Sequence, residues 1–176
     1  MAELLSTDQP APGRAASPLL HAVVTWWAIA GGLVFCAIVA MSIVSIVGRK
    51  LFASPVEGDM ELLMMLAAVG SAAFLPLCEL EDHHIKVDAL TTWMSERGRA
   101  ALDLLAHLVL AVGAGVITWR TQLYVHEMRE TTEMSPILLV PMWIPVSLLV
   151  PSFLLLTVAA LYRGGLSLRA AMGARP

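Results

Sequence analysis

Residues 22–47 read AVVTWWAIAGGLVFCAIVAMSIVSIV, and no charged side chain interrupts them. A helix of that length rises about 39 Å, more than the roughly 30 Å apolar core of a bilayer. The stretch settles the fold class as a membrane protein. Composition agrees. Of 176 residues, 58% are hydrophobic and 14% charged, against about 25% charged in a soluble domain. The net charge of -3 and the lack of a basic block argue against a nucleic-acid partner.

Residues 137–162 form a second charge-free run of the same kind. Two shorter runs, 62–78 and 104–119, become full crossings once their flanks sit in the headgroup layer. The chain therefore reads as an all-α membrane protein with four transmembrane helices, over about 22–47, 60–78, 101–120 and 137–162. Ser54-Pro55 and Ser135-Pro136 look like starts for the second and fourth spans, a capping hydroxyl followed by a proline that suits the first turn. Residues 1–20 contain acidic side chains and three prolines, unlike a secretory leader, and read as a flexible cytoplasmic tail. The membrane domain covers 21–163, and 164–176 form a second cytoplasmic tail.

Lys and Arg set the orientation. Arg14, Lys86, Arg97, Arg99, Arg163, Arg169 and Arg175 fall on one side, Arg49, Lys50, Arg120 and Arg129 on the other. The positive-inside rule then places both termini and the central loop in the cytoplasm. Trp26, Trp27, Trp119, Trp143 and Tyr162 lie near span ends, as an aromatic belt requires.

Between the second and third spans the sequence turns polar, LEDHHIKVDALTTW over residues 80–93. On a helix over about 84–97, Ile85, Val87, Ala89, Leu90, Trp93 and Met94 share one face. Lys86 and Arg97 point into that apolar arc, which suits an amphipathic helix lying in the interface with its basic heads lifted to phosphates. Lys86, Trp93 and Arg97 are its expected contacts with membrane lipids. Glu79 and His83, at i,i+4, could offer two metal ligands, but no third has a fitting spacing, so a solvated polar turn is preferred and no metal is expected. Asp103 and His107 make another i,i+4 pair at the start of the third span, read as local structure.

Function is narrowed by elimination. A bis-histidine haem needs two histidines within spans, and only His107 lies in one. No nucleophile, general base or metal constellation marks an enzyme, and no cofactor is expected. An autonomous carrier usually places an ionisable group near mid-bilayer, and these spans hold none there. Small-residue pairs at Ala28/Gly32, Ala67/Ser71 and Ala111/Gly115 permit close helix packing. The reading that remains is a four-span accessory subunit, of this or another membrane complex. A small autonomous carrier is the alternative.

GRKLFASPVEGDMELLMMLAAVGSAAFLPLCELEDHHIKVDAL, residues 48–90, resembles the signature region of the small membrane subunit of tripartite ATP-independent periplasmic (TRAP) transporters, the DctQ-like or Q component. Arg49, Phe52, Ser54, Pro55, Gly58 and Glu61 match the motif opening the second span. His84, Ile85, Lys86, Val87 and Asp88 match the one closing it. The chain lacks the Trp and paired Glu that many members carry before that span. The resemblance implies import of an organic anion, such as a dicarboxylate or sugar acid, by sodium symport. The implied partners are a large permease subunit, which carries the coupling site, and a periplasmic substrate-binding protein. It also implies structural weight for Arg49 and Glu61 at one end and for His84 and Asp88 at the other.

Overall fold

The computed structural model describes residues 18–53, 56–81 and 96–172. Four helices run through them: α1 (Pro18–Phe52), α2 (Asp59–Leu80), α3 (Glu96–Thr131) and α4 (Trp143–Ala171). Each is long and apolar enough to cross a membrane. Among the described residues the only extended pairing is an isolated antiparallel bridge between Met134 and Pro141. The all-α membrane fold with four candidate spans is thus the one the sequence implies.

The helices alternate in direction and pack in the spatial order α1, α2, α4, α3. α1 lies along α2, α2 along α4, and α4 along α3; α1 meets α4 only briefly, and the α2 and α3 backbones do not meet. Their packing seams follow the sequence. On α1 the buried positions are Val24, Ala28, Gly31, Ile38 and Ser45, steps of three, four and seven that keep one narrow stripe facing a neighbour. On α3 the stripe is His107, Ala111, Ala114, Val125 and Met128.

Small residues set the spacing between α1 and α2. A Cβ on Gly31 would come within 2.6 Å of Ala73 Cβ, and one on Gly70 within 2.7 Å of the Phe35 ring. The backbones therefore cross where neither helix carries a side chain, and Phe35 and Phe74 stack beside the crossing at 5.9 Å between centroids. Only 17–28% of each apolar window is buried inside the chain. Much of the remaining surface faces outward, as at Leu33, Val44, Val109 and Val112, and is left for lipid or another polypeptide to cover.

Several boundaries differ from the sequence reading. α1 begins at Pro18, inside the stretch expected to be tail, and α4 runs to Ala171, well past Tyr162. α3 continues to Thr131 rather than ending near 120, which puts His126 on a helix instead of a loop. α4 starts at Trp143, not near Ile137. Pro141 and Pro145 withhold N–H groups there, and Glu61 captures those of Ile137 and Leu138, so that segment forms a turn instead of a helix. α2 starts after Gly58, while Ser54 and Pro55 lie outside the described residues. So do residues 84–95 of the expected interfacial helix. Arg97 falls in the first turn of α3.

Candidate functional site at the clasped helix ends

One end of the bundle gathers the last turn of α1, the first turns of α2 and α4, and the end of α3. The chain reverses between α1 and α2 through Gly58, whose φ of 71° is left-handed and open to glycine at little cost. Leu138 packs against the same glycine, in the space a Cβ would need.

Two carboxylates on the first turn of α2 bind their own chain. The Ser45 hydroxyl of α1 donates to Asp59 at 2.5 Å, and the Arg49 guanidinium donates to the same oxygen at 3.1 Å. Ser45 in turn accepts the Val56 N–H at 3.4 Å. Glu61 points the other way. It accepts the Ser135 hydroxyl at 2.6 Å and the N–H groups of Ile137 and Leu138 at 3.0 and 3.1 Å. Both carboxylates also sit at the positive end of the α2 dipole. Asp59 fastens α2 to α1, and Glu61 fastens it to the turn entering α4.

The turn is closed further by its own backbone. Ser135 N–H donates to the Val140 carbonyl at 2.9 Å, and Met142 N–H to that of Glu133 at 3.0 Å. Across its base, the Arg129 guanidinium lies 4.3 Å from the centre of the Trp143 ring, a cation–π contact between the last turn of α3 and the first of α4.

At the opposite end, His107 Nδ1 of α3 and Glu79 Oε1 of α2 share a hydrogen bond of 2.6 Å, with side chains 9% and 1% exposed. Nearby, His21 of α1 approaches Glu81 at 3.6 Å. Val24, Leu80 and Ala159 form the apolar core beside them, with Leu20, Leu77, Leu155 and Tyr162 packed around it. Trp27 reaches from α1 to α4, donating its indole N–H to Ser152 at 2.9 Å.

The residues singled out in the sequence divide into three sets. Arg49, Gly58 and Glu61 come together at the clasped end. Phe52, the last residue of α1, is exposed and joins none of these contacts. Ser54, Pro55, His83, His84, Lys86, Val87, Asp88 and Trp93 lie outside the described residues. The sequence reading did not single out Ser45, took Ser135 only as a helix-start serine, and offered His83 and Asp103 as neighbours for Glu79 and His107, which the structure joins to each other. Ser45 could have been found, because it continues the α1 packing stripe. The contact of Ser135 with Glu61 could not, the two being 74 residues apart. Among the described residues no three His, Cys, Asp or Glu side chains converge as metal ligands. Chemically, the clasp pairs carboxylates with the chain's own donors, an arrangement that holds helices together.

A family model described as "Tripartite ATP-independent periplasmic transporters, DctQ component" matches residues 38–169. Neither a curated protein nor a solved structure matches the chain. The matched region runs from the middle of α1 almost to the end of α4 and contains the clasp and the Glu79–His107 pair.

Proposed function

Because this chain belongs to the DctQ family, the small membrane subunits of tripartite ATP-independent periplasmic transporters, we propose that it is the anchoring scaffold of such a system and not its carrier. The family is one of transporter components rather than enzymes. In this reading a periplasmic protein captures an organic anion, such as a dicarboxylate or sugar acid. A large permease subunit moves it inward with sodium, and the present chain holds that permease in place in the inner membrane with both termini in the cytoplasm.

The observation that carries the reading is where the polar groups lie. Asp59 and Glu61 are bound by Ser45, Arg49 and the 135–138 turn at one end, and Glu79 is bound by His107 at the other. The middles of the spans carry no charge. A carrier that couples ions to cargo needs groups able to change partners within the membrane; here they brace helix against helix.

Site roles follow from the same reading. Arg49, Ser54, Pro55 and Gly58 shape the reversal between α1 and α2, Glu61 ties that reversal to the turn entering α4, and Phe52, exposed at the end of α1, is left to face lipid or a partner. His84, Val87 and Asp88 shape the opposite turn. Lys86, Trp93 and Arg97 hold the intervening segment against lipid headgroups. The test is affinity purification of the tagged chain in mild detergent from cells that express its genomic neighbours. Retention of a much larger multi-span subunit at fixed stoichiometry is the expected result. A chain that purifies alone, while remaining folded, rejects the scaffold role.

A further inference from the structure

The turn between α3 and α4 exposes apolar side chains at its tip. Met134, Ile137 and Leu139 are 51%, 60% and 66% exposed. Leu139 does so from a left-handed backbone, φ 52°, a conformation costly for a branched side chain. Yet the turn is firmly held, by Glu61, by the Leu138 contact with Gly58 and by its two backbone bonds. A strained, well-braced turn that presents leucine and isoleucine outward calls for something apolar to meet them.

We propose that residues 134–142 form a wedge seated in the interfacial layer of the bilayer, with Ile137 and Leu139 against lipid. Three observations support a lipid occupant. No charged residue occurs from Met134 to Tyr162, so the turn continues the apolar run of α4 without a polar break. Exposed apolar side chains also stand beside the turn: Met64 of α2 lines a shallow apolar hollow with Met142, at the end of the turn, and Pro145 of α4. Lastly, the turn bonds much of its own backbone. The N–H groups of Ser135, Ile137, Leu138, Met142 and Ile144 are bonded within the chain, and Pro136, Pro141 and Pro145 have none. Those of Leu139 and Val140 are left for water or lipid headgroups, which seats the turn in the interfacial layer and not in the hydrocarbon. Because α4 from Trp143 to Tyr162 spans about 30 Å by itself, the wedge sits at the edge of the hydrocarbon.

The test uses the full-length chain with Cys36→Ala and Cys78→Ala, carrying Ile137→Cys or Leu139→Cys labelled with bimane. It is reconstituted in phosphatidylethanolamine–phosphatidylglycerol vesicles, with and without the large subunit. Glu130→Cys, at the exposed and charged end of α3, is the aqueous reference. Quenching by headgroup-proximal doxyl lipids, with iodide quenching about threefold weaker than at residue 130, is expected in both preparations. Iodide quenching equal to the reference overturns the proposal. So does loss of lipid quenching when the large subunit is present, which would assign the tip to a protein partner. Leu139→Asn tests the same point without a label, since asparagine tolerates the left-handed backbone. In vesicles its thermal midpoint falls or stays unchanged if the tip meets lipid; a rise, from relieved strain in a water-exposed turn, overturns the wedge.

Discussion

His107 and Glu79 meet at 2.6 Å across a gap between two helices whose backbones never touch. α4 packs beside both, with Gly164 facing His107, where an added Cβ would lie in ordinary contact at 3.6 Å from His107 Cβ. Removing one member of a buried hydrogen-bonded pair strands the other, which costs about 1–3 kcal/mol. His107→Leu and Glu79→Leu should each lower thermal stability by that order. The double change should cost less than the sum of the two, because neither residue is then left without the other. Tryptophan-fluorescence melts of the purified chain provide the measurement, and strict additivity would show that the contact does not couple the helices.

Glu61 holds its turn through two oxygens that serve three donors. Glu61→Gln puts an NH2 where one oxygen accepted, facing N–H groups that cannot accept. The turn should loosen, so that Ser135→Cys reacts faster with a water-soluble maleimide when combined with Glu61→Gln than when Glu61 is kept. An unchanged labelling rate would mean that the carboxylate does not hold the turn.

Gly58 and Gly113 make a matched pair. Gly58→Ala forces a Cβ onto a left-handed backbone, at about 1–2 kcal/mol, and drives it into Leu138. Gly113 lies within α3 with nothing within 4 Å of an added Cβ, so Gly113→Ala should gain up to about 1 kcal/mol from helix propensity. The two substitutions should move the melting midpoint in opposite directions.

At the α1–α2 crossing, Gly31→Val should be among the most damaging single changes in the chain. Even the first carbon would overlap Ala73, and overpacking of this kind costs about 1–3 kcal/mol. Gly32→Ala, one residue away, meets only the Phe74 ring at 3.7 Å and should be tolerated. Comparing the yield of folded protein for the two variants checks this.

The contrast between Gly31 and Gly32 also shows where reading the sequence falls short. The uncharged runs made the four spans and the fold class legible, because bilayer thickness imposes a length that composition alone reveals. The small-residue pattern found Ala28, which is buried on the α1 stripe, but paired it with Gly32 instead of Gly31, since two adjacent glycines look alike until the partner helix is placed. The fourth span looked as though it began at Ser135-Pro136, because that dipeptide carries the usual start chemistry. What captured the serine was Glu61, from a helix far away in sequence. The bond between Glu79 and His107 was hidden for the same reason. Spacing offered each a neighbour at i,i+4, whereas the partner that the fold brings to it is 28 residues away. Motif residues Arg49, Gly58 and Glu61 were legible through the family resemblance, and the structure supplies their reason: each closes a contact between segments that spacing cannot link.

The scaffold role is tested most directly by sodium-driven uptake in proteoliposomes. This chain, its large subunit and both together are reconstituted with the periplasmic binding protein and a candidate organic anion outside. A scaffold gives no uptake by itself and sodium-dependent uptake once both membrane subunits are present. Sodium-driven accumulation by this chain without its companion, or undiminished uptake by the large subunit when this chain is left out, would contradict it.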